Sequence, residues 1–169
     1  INSSILPEIY DFPAKVVTGF AGSGDARAAV LSGDADAHIL PLDSQLEAIE
    51  SGEVRPILVI SNDTHDRLPD VQTAQDYEPA GDPQKQLLTS LIALSDTGRG
   101  VVAPPGVDDA SRTTLRKMLT CALKDRGVLA KAKKQKRDLA PLPGDDVAKL
   151  VKRVLDSPDE FQRLIKKAS

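Results

Sequence analysis

The sequence predicts an α/β fold, with a parallel or mixed sheet flanked by helices and a helical C-terminal region. Three observations carry this. Across residues 15–60, short β-branched runs alternate with alanines and leucines at helical spacing, the pattern of βαβ units. Residues 56–60, Pro-Ile-Leu-Val-Ile, form a continuous apolar run suited to a central parallel strand. Beyond Pro104-Pro105-Gly106, apolar residues recur at helical spacing.

Taken in order, residues 15–18 form a short strand that enters a glycine-rich turn, Gly19-Phe20-Ala21-Gly22-Ser23-Gly24-Asp25. Ala26, Ala29 and Val30 then mark a helix, closed by Gly33 as a left-handed terminator. Residues 35–40 read as a second strand. Asp43 is placed to cap a helix carrying Leu46 and Ile49 and stopping at Gly52. After the strand at 56–60, residues 61–81 read as irregular, with a turn at Leu68-Pro69-Asp70 and a short helix around 73–76. A helix over 84–94 follows Pro83, and a short strand over 100–103 follows that. Three apolar stripes complete the chain: Leu115, Met118, Leu119, Ala122 and Leu123; Val147, Leu150, Val151, Val154 and Leu155; Phe161, Leu164, Ile165 and Ala168. Ser157-Pro158-Asp159-Glu160 has the form of a helix start. The Pro-Pro-Gly at 104–106 is the best internal boundary.

With 169 residues the chain is long enough to bury a core. Aromatic residues are only 3%, so aliphatic side chains must fill that core and stacking platforms for bases are scarce. The formal net charge of −3 gives the whole molecule no attraction to nucleic acid or membrane. No apolar run approaches the roughly 20 residues of a spanning helix. The start at Ile1 rather than Met suggests a mature, trimmed or excised piece. A single Cys121 allows neither an internal disulfide nor a multi-cysteine metal site.

Residues 19–25 are the best candidate site. Glycines between a strand and a helix let backbone approach a ligand, and the helix's free N–H groups and dipole favour an anion. The spacing of glycines at 19, 22 and 24 is neither a dinucleotide fingerprint nor a P-loop. A plain tight turn with Asp25 as a cap accounts for the same residues equally well. His38 ends a predicted strand, where ligand sites of α/β folds gather; a packed or surface imidazole is the plainer reading, and more so for His65. Ser23 lacks a nucleophile-elbow context and Cys121 reads as a packed thiol. The basic run over residues 131–137 suits contact with phosphates or an acidic partner, but a solvated helix face is the plainer reading. No nucleophile–base pair and no metal cluster stands out, so no cofactor, metal or enzymatic activity is expected.

Five stretches together resemble one family: Val16 to Ala26 around the glycine turn; Leu31-Ser32-Gly33-Asp34-Ala35-Asp36-Ala37; Ile49-Glu50-Ser51-Gly52-Glu53-Val54-Arg55-Pro56-Ile57-Leu58-Val59; Arg67-Leu68-Pro69-Asp70-Val71-Gln72-Thr73; and Val102-Ala103-Pro104-Pro105-Gly106-Val107. Their order and spacing are similar to the extracytoplasmic solute receptors of tripartite tricarboxylate transporters, the Bug receptors. Gln72 and Asp108 stand where that family usually has proline.

The resemblance implies two α/β lobes of the type II periplasmic-binding-protein kind that close on a small carboxylate and deliver it to a membrane permease, catalysing nothing. It implies that residues 1–103 are most of the second lobe, beginning at the tail of a helix, and that 104–169 would pack on a first lobe lying upstream. It places the ligand carboxylate on the backbone N–H groups of Phe20, Ala21, Gly22, Ser23, Gly24 and Asp25. His38 is added on position alone, and a homo-oligomer would cover the incomplete core. The alternative from another class is an interaction module that docks through its C-terminal helices.

Overall fold

The structure, a computed structural model, describes residues 1–135, 137 and 139–168, without the Ala168 side chain. Lys136 of the basic run and the Ala168 side chain of the third stripe therefore lie outside the described residues. The α-helices among them are α1 (Asn2–Tyr10), α2 (Ser23–Ser32), α3 (Leu46–Glu50), α4 (Asp82–Asp96), α5 (Asp109–Lys124), α6 (Arg126–Lys134), α7 (Gly144–Leu155) and α8 (Asp159–Ala168). Two 3₁₀ turns, Leu42–Ser44 and Ala74–Asp76, join them.

The predicted α/β fold with its sheet is overturned: among the described residues there is no strand, and helices dominate. The reason is visible at residues 56–60. Val59 makes one parallel bridge to Thr73, donating to the Gln72 carbonyl at 2.9 Å and accepting from the Ala74 amide at 2.8 Å. The next rung would need the Ser61 amide on the Ala74 carbonyl. Ser61 instead donates back to the Val59 carbonyl at 3.0 Å, and the Ala74 carbonyl accepts the Tyr10 hydroxyl at 2.5 Å. Thr73 itself starts a capping box, its amide donating to Asp76 Oδ2 at 2.6 Å and its hydroxyl to the same oxygen at 3.0 Å. The amide and the carbonyl of the next rung are thus both diverted, and the capping box turns the chain into the 3₁₀ turn at Ala74–Asp76, so pairing stops after one rung. The other expected strands fare no better. Residues 15–18 are exposed, 35–40 carry no ladder, and at 100–103 Val101 and Val102 are 77% and 90% exposed.

The core is built by helices instead. Ile5, Leu6 and Ile9 of α1 pack with Leu87, Leu88, Leu91 and Ile92 of α4, and Phe161 of α8 closes the cluster fully buried. The pairs Leu87/Leu91 and Leu88/Ile92 lie four apart, so α4 offers a broad apolar face to both neighbours. Each such side chain contributes roughly 1.5–3 kcal/mol on burial. Ala74 fills the floor, tied to α1 through the Tyr10 hydroxyl, and the Ala80 amide donates to Ile9 O at 3.0 Å. Burial and then the nearby Tyr77 push the Tyr10 phenol up from its ordinary pKa, so it stays a donor. Helix α7 lies along α4, and α8 touches both α1 and α4.

Helices α5 and α6 pack on each other and bury no residue. Asp108 caps α5 through the Ser111 amide at 2.9 Å, and Asp125 caps α6 through Gly127 and Val128 at 2.8 and 3.0 Å. Asp43, expected as the cap of α3, instead pairs with Arg137 and lies 4.0 Å from Arg99. The Ser157 hydroxyl serves the end of α7, donating to the Val154 carbonyl at 2.6 Å, and α8 starts after Pro158.

Candidate functional site

The glycine-rich segment forms the N-terminus of α2. Gly19 has a φ of +95°, a left-handed conformation that glycine adopts without strain. Gly22 is extended, at φ −177°, and caps the helix with no side-chain acceptor. The first intrahelical bond runs from the Ala26 amide to the Gly22 carbonyl at 3.2 Å. The amides of Ser23, Gly24 and Asp25 therefore stand before the first turn's hydrogen bonds begin. Phe20, Ala21, Gly22, Gly24 and Asp25 are exposed and Ser23 is half-buried. A Cβ built at Gly19, Gly22 or Gly24 meets no atom within 4 Å, so the approach to these amides is open. Asp25 adds a negative charge in the first turn that already complements the helix dipole.

Helix α2 buries no residue, and at its far end Gly33 takes the expected left-handed conformation at φ +82°. There the Ser32 hydroxyl donates to Asp34 Oδ2 at 2.7 Å. His38 is half-buried, with its Nδ1 atom buried and lacking a hydrogen-bond partner. Among the described residues no hydrogen bond joins His38 to the turn at 19–25. His65 shapes a local turn, its Nδ1 accepting from the Arg67 amide at 3.2 Å, and Cys121 is exposed. The described residues hold no group of three or more potential metal ligands, and no helix among them is long and apolar enough to cross a membrane.

A second concavity was not anticipated from the sequence. A groove of about 460 Å³ runs between α4 and α7, lined among others by Ser90, Asp96, Leu150, Arg153 and Ser157. Partial burial, and then the charge of Asp63, raise the Asp96 carboxyl above its ordinary value. Ser90 and Ser157 are spoken for, donating to the Gln86 and Val154 carbonyls. The sequence marks one residue of this groove and not the groove itself: Asp96 is an acid in the last turn of a helix, where the dipole opposes negative charge.

Compared with family models, with curated proteins and with solved structures, the chain has no match in any of the three. The functional reading therefore rests on the residues themselves.

Proposed function

We propose that this chain is part of an extracytoplasmic solute-binding receptor, which takes up a small carboxylate and passes it to the membrane permease of a tripartite tricarboxylate-type transporter. The reading is non-enzymatic. One observation supports it most. The segment that resembles the Bug receptors' glycine turn coincides with an uncapped, solvent-facing helix N-terminus whose approach no side chain obstructs. Successive backbone amides at such a terminus recognise a carboxylate by hydrogen bonding, and the dipole adds about 0.3–1 kcal/mol at an exposed position. The order of the four further motifs along the chain supports the same reading.

Calorimetric titration with acetate and succinate tests this. Saturable heat is expected with at least one of them. Gly22→Val should then weaken binding by about tenfold or more, equivalent to roughly 1.4 kcal/mol. The extended backbone at Gly22 accepts any residue and the space around it is open, so this change blocks the amides without disturbing the fold. Unchanged affinity in Gly22→Val removes the site, and absence of heat with both acids removes the function.

A further inference from the structure

We propose that the α5–α6 hairpin is a homotypic docking arm: in a dimer it lies on the acidic half of a second copy of this chain. The first observation is an apolar face with nothing on it. Leu115, Met118 and Leu119, at helical spacing on one face of α5, are 51%, 63% and 42% exposed, and Val128 and Leu129 of α6 are also exposed. Neither helix buries a residue. Contiguous exposed apolar surface of this kind, rimmed by charge, marks an association site.

Charge identifies the occupant. Residues 1–100 carry 16 acidic and 6 basic side chains, whereas residues 101–169 carry 9 and 16. A modest net charge of −3 thus conceals two halves of opposite sign. The arm, residues 108–137, concentrates ten basic against three acidic side chains. It is already tied down within the chain at two points, Arg116 to Asp145 at 2.9 Å and Arg137 to Asp43. Between these anchors Lys117, Lys124, Arg126, Lys131, Lys133 and Lys134 make no ion pair among the described residues. On the acidic half, Glu47, Glu53, Asp66 and Asp70 are exposed and likewise unpaired among the described residues. That half also exposes apolar side chains of its own, Leu31 and Ile57. The Arg137–Asp43 pair joins the two halves within one chain, and the second copy extends the same chemistry to the cations left over.

Two arms cannot pack on each other, because each is strongly cationic. Arm on acidic half is complementary, and exchanged reciprocally it uses the surface twice and closes with two-fold symmetry. An anionic membrane would attract the arm but repel the acidic half of the same molecule, within a Debye length of about 8–10 Å. Both surfaces of the proposed contact are present in equal amount in every solution of the chain. The inference is independent of carboxylate binding, since the association is read with no ligand added.

Sedimentation velocity across protein concentration and salt is the test. A dimer is expected at low ionic strength, dissociating as salt is raised. The triple change K131E/K133E/K134E should yield a monomer with an unaltered circular dichroism spectrum, because no residue of α6 is buried. Mixing that variant with E47K/E53K/D66K should restore a heterodimer through swapped charges. A chain that stays monomeric at about 100 μM in low salt, a concentration that would populate a micromolar contact, overturns the proposal. A dimer unaffected by the triple change also overturns it. So does a monomer that binds phosphatidylserine vesicles through the arm, which would make lipid the occupant.

Discussion

Helices α5 and α8 carry the same kind of apolar stripe and finish in opposite surroundings. Phe161 of α8 is fully buried, and Leu164 and Ile165 pack against the core. On α5 the equivalent residues, Leu115, Met118 and Leu119, face solvent. Local stability does not explain this. Helix α5 is longer, with 16 residues against 10, and has a side-chain cap in Asp108. What differs is the surface each helix meets. Helix α7 lies along α4 and hands the chain through Ser157 and Pro158 to α8, which lands on the α1–α4 pair. Helix α5 turns at Asp125 into α6, and the two pack chiefly on each other, with Arg116 reaching Asp145 of α7. An amphipathic pattern states that a helix has a face to cover, and leaves open what covers it.

The sharpest way to break this comparison is to remove one large apolar group from each helix. Phe161→Ala should cost about 3–5 kcal/mol, because a buried ring leaves a cavity as well as lost transfer energy. That is a large share of the roughly 5–15 kcal/mol that holds a domain folded. Leu119→Ala on α5 should change stability by no more than about 0.5 kcal/mol. Urea melts at low protein concentration and high salt measure both in the monomer. Equal losses would mean that α5 is packed as well as α8, and the comparison would collapse.

A smaller effect is expected where the core meets the failed ladder. Asp76 accepts both the amide and the hydroxyl of Thr73, holding Ala74 under α1. Asp76→Ala should cost about 1 kcal/mol, the usual worth of a side-chain cap. A thermal melt reads it, and a neutral result would show that Tyr10 and the Val59 carbonyl suffice to position Ala74.

The same interrupted ladder explains what the sequence could and could not disclose. Helical stripes were legible because their partners in the pattern lie three and four residues away, within one element. The helix predicted over 84–94 is present as Asp82–Asp96, and Gly33 ends α2 as its conformational freedom suggests. The β-branched run at 56–60 was equally clear as a local pattern, but a strand needs distant neighbours. Val59 finds one in Thr73, and the competing bonds from Tyr10 and Ser61 lie outside the run itself. A helix at the start of the chain followed only from the family resemblance, since Pro7 sits inside it. The turn at 19–25 could be found because all its parts are consecutive. The Asp96–Arg153 groove could not, because its walls come from helices far apart along the chain.

The contrast between core helix and exposed arm can be sharpened to two carboxylates. Asp96 closes α4, and partial burial together with Asp63 raises its carboxyl above the ordinary value. Asp108 opens α5, and the Ser111 amide and hydroxyl hold its carboxyl below the ordinary value. The two therefore act on stability with opposite signs. For Asp96 the protonated form is favoured in the folded state, so its contribution is fully present below the unfolded value and is lost as pH rises through the raised one. At neutral pH its charge is a burden, and Asp96→Asn should raise the melting temperature by about 1–3 °C, kept small because the group is mostly open to solvent. For Asp108 the ionised form is favoured, so its contribution is present above the unfolded value and is lost as pH falls through the lowered one. Asp108→Asn should lower the melting temperature at neutral pH. Both differences should vanish in acid, where each wild-type carboxyl is already neutral. Melts of the two variants from neutral pH down to the acid limit of folding give the sign of each, and a shift in the same direction for both would show that the end of α4 is no more desolvated than the arm.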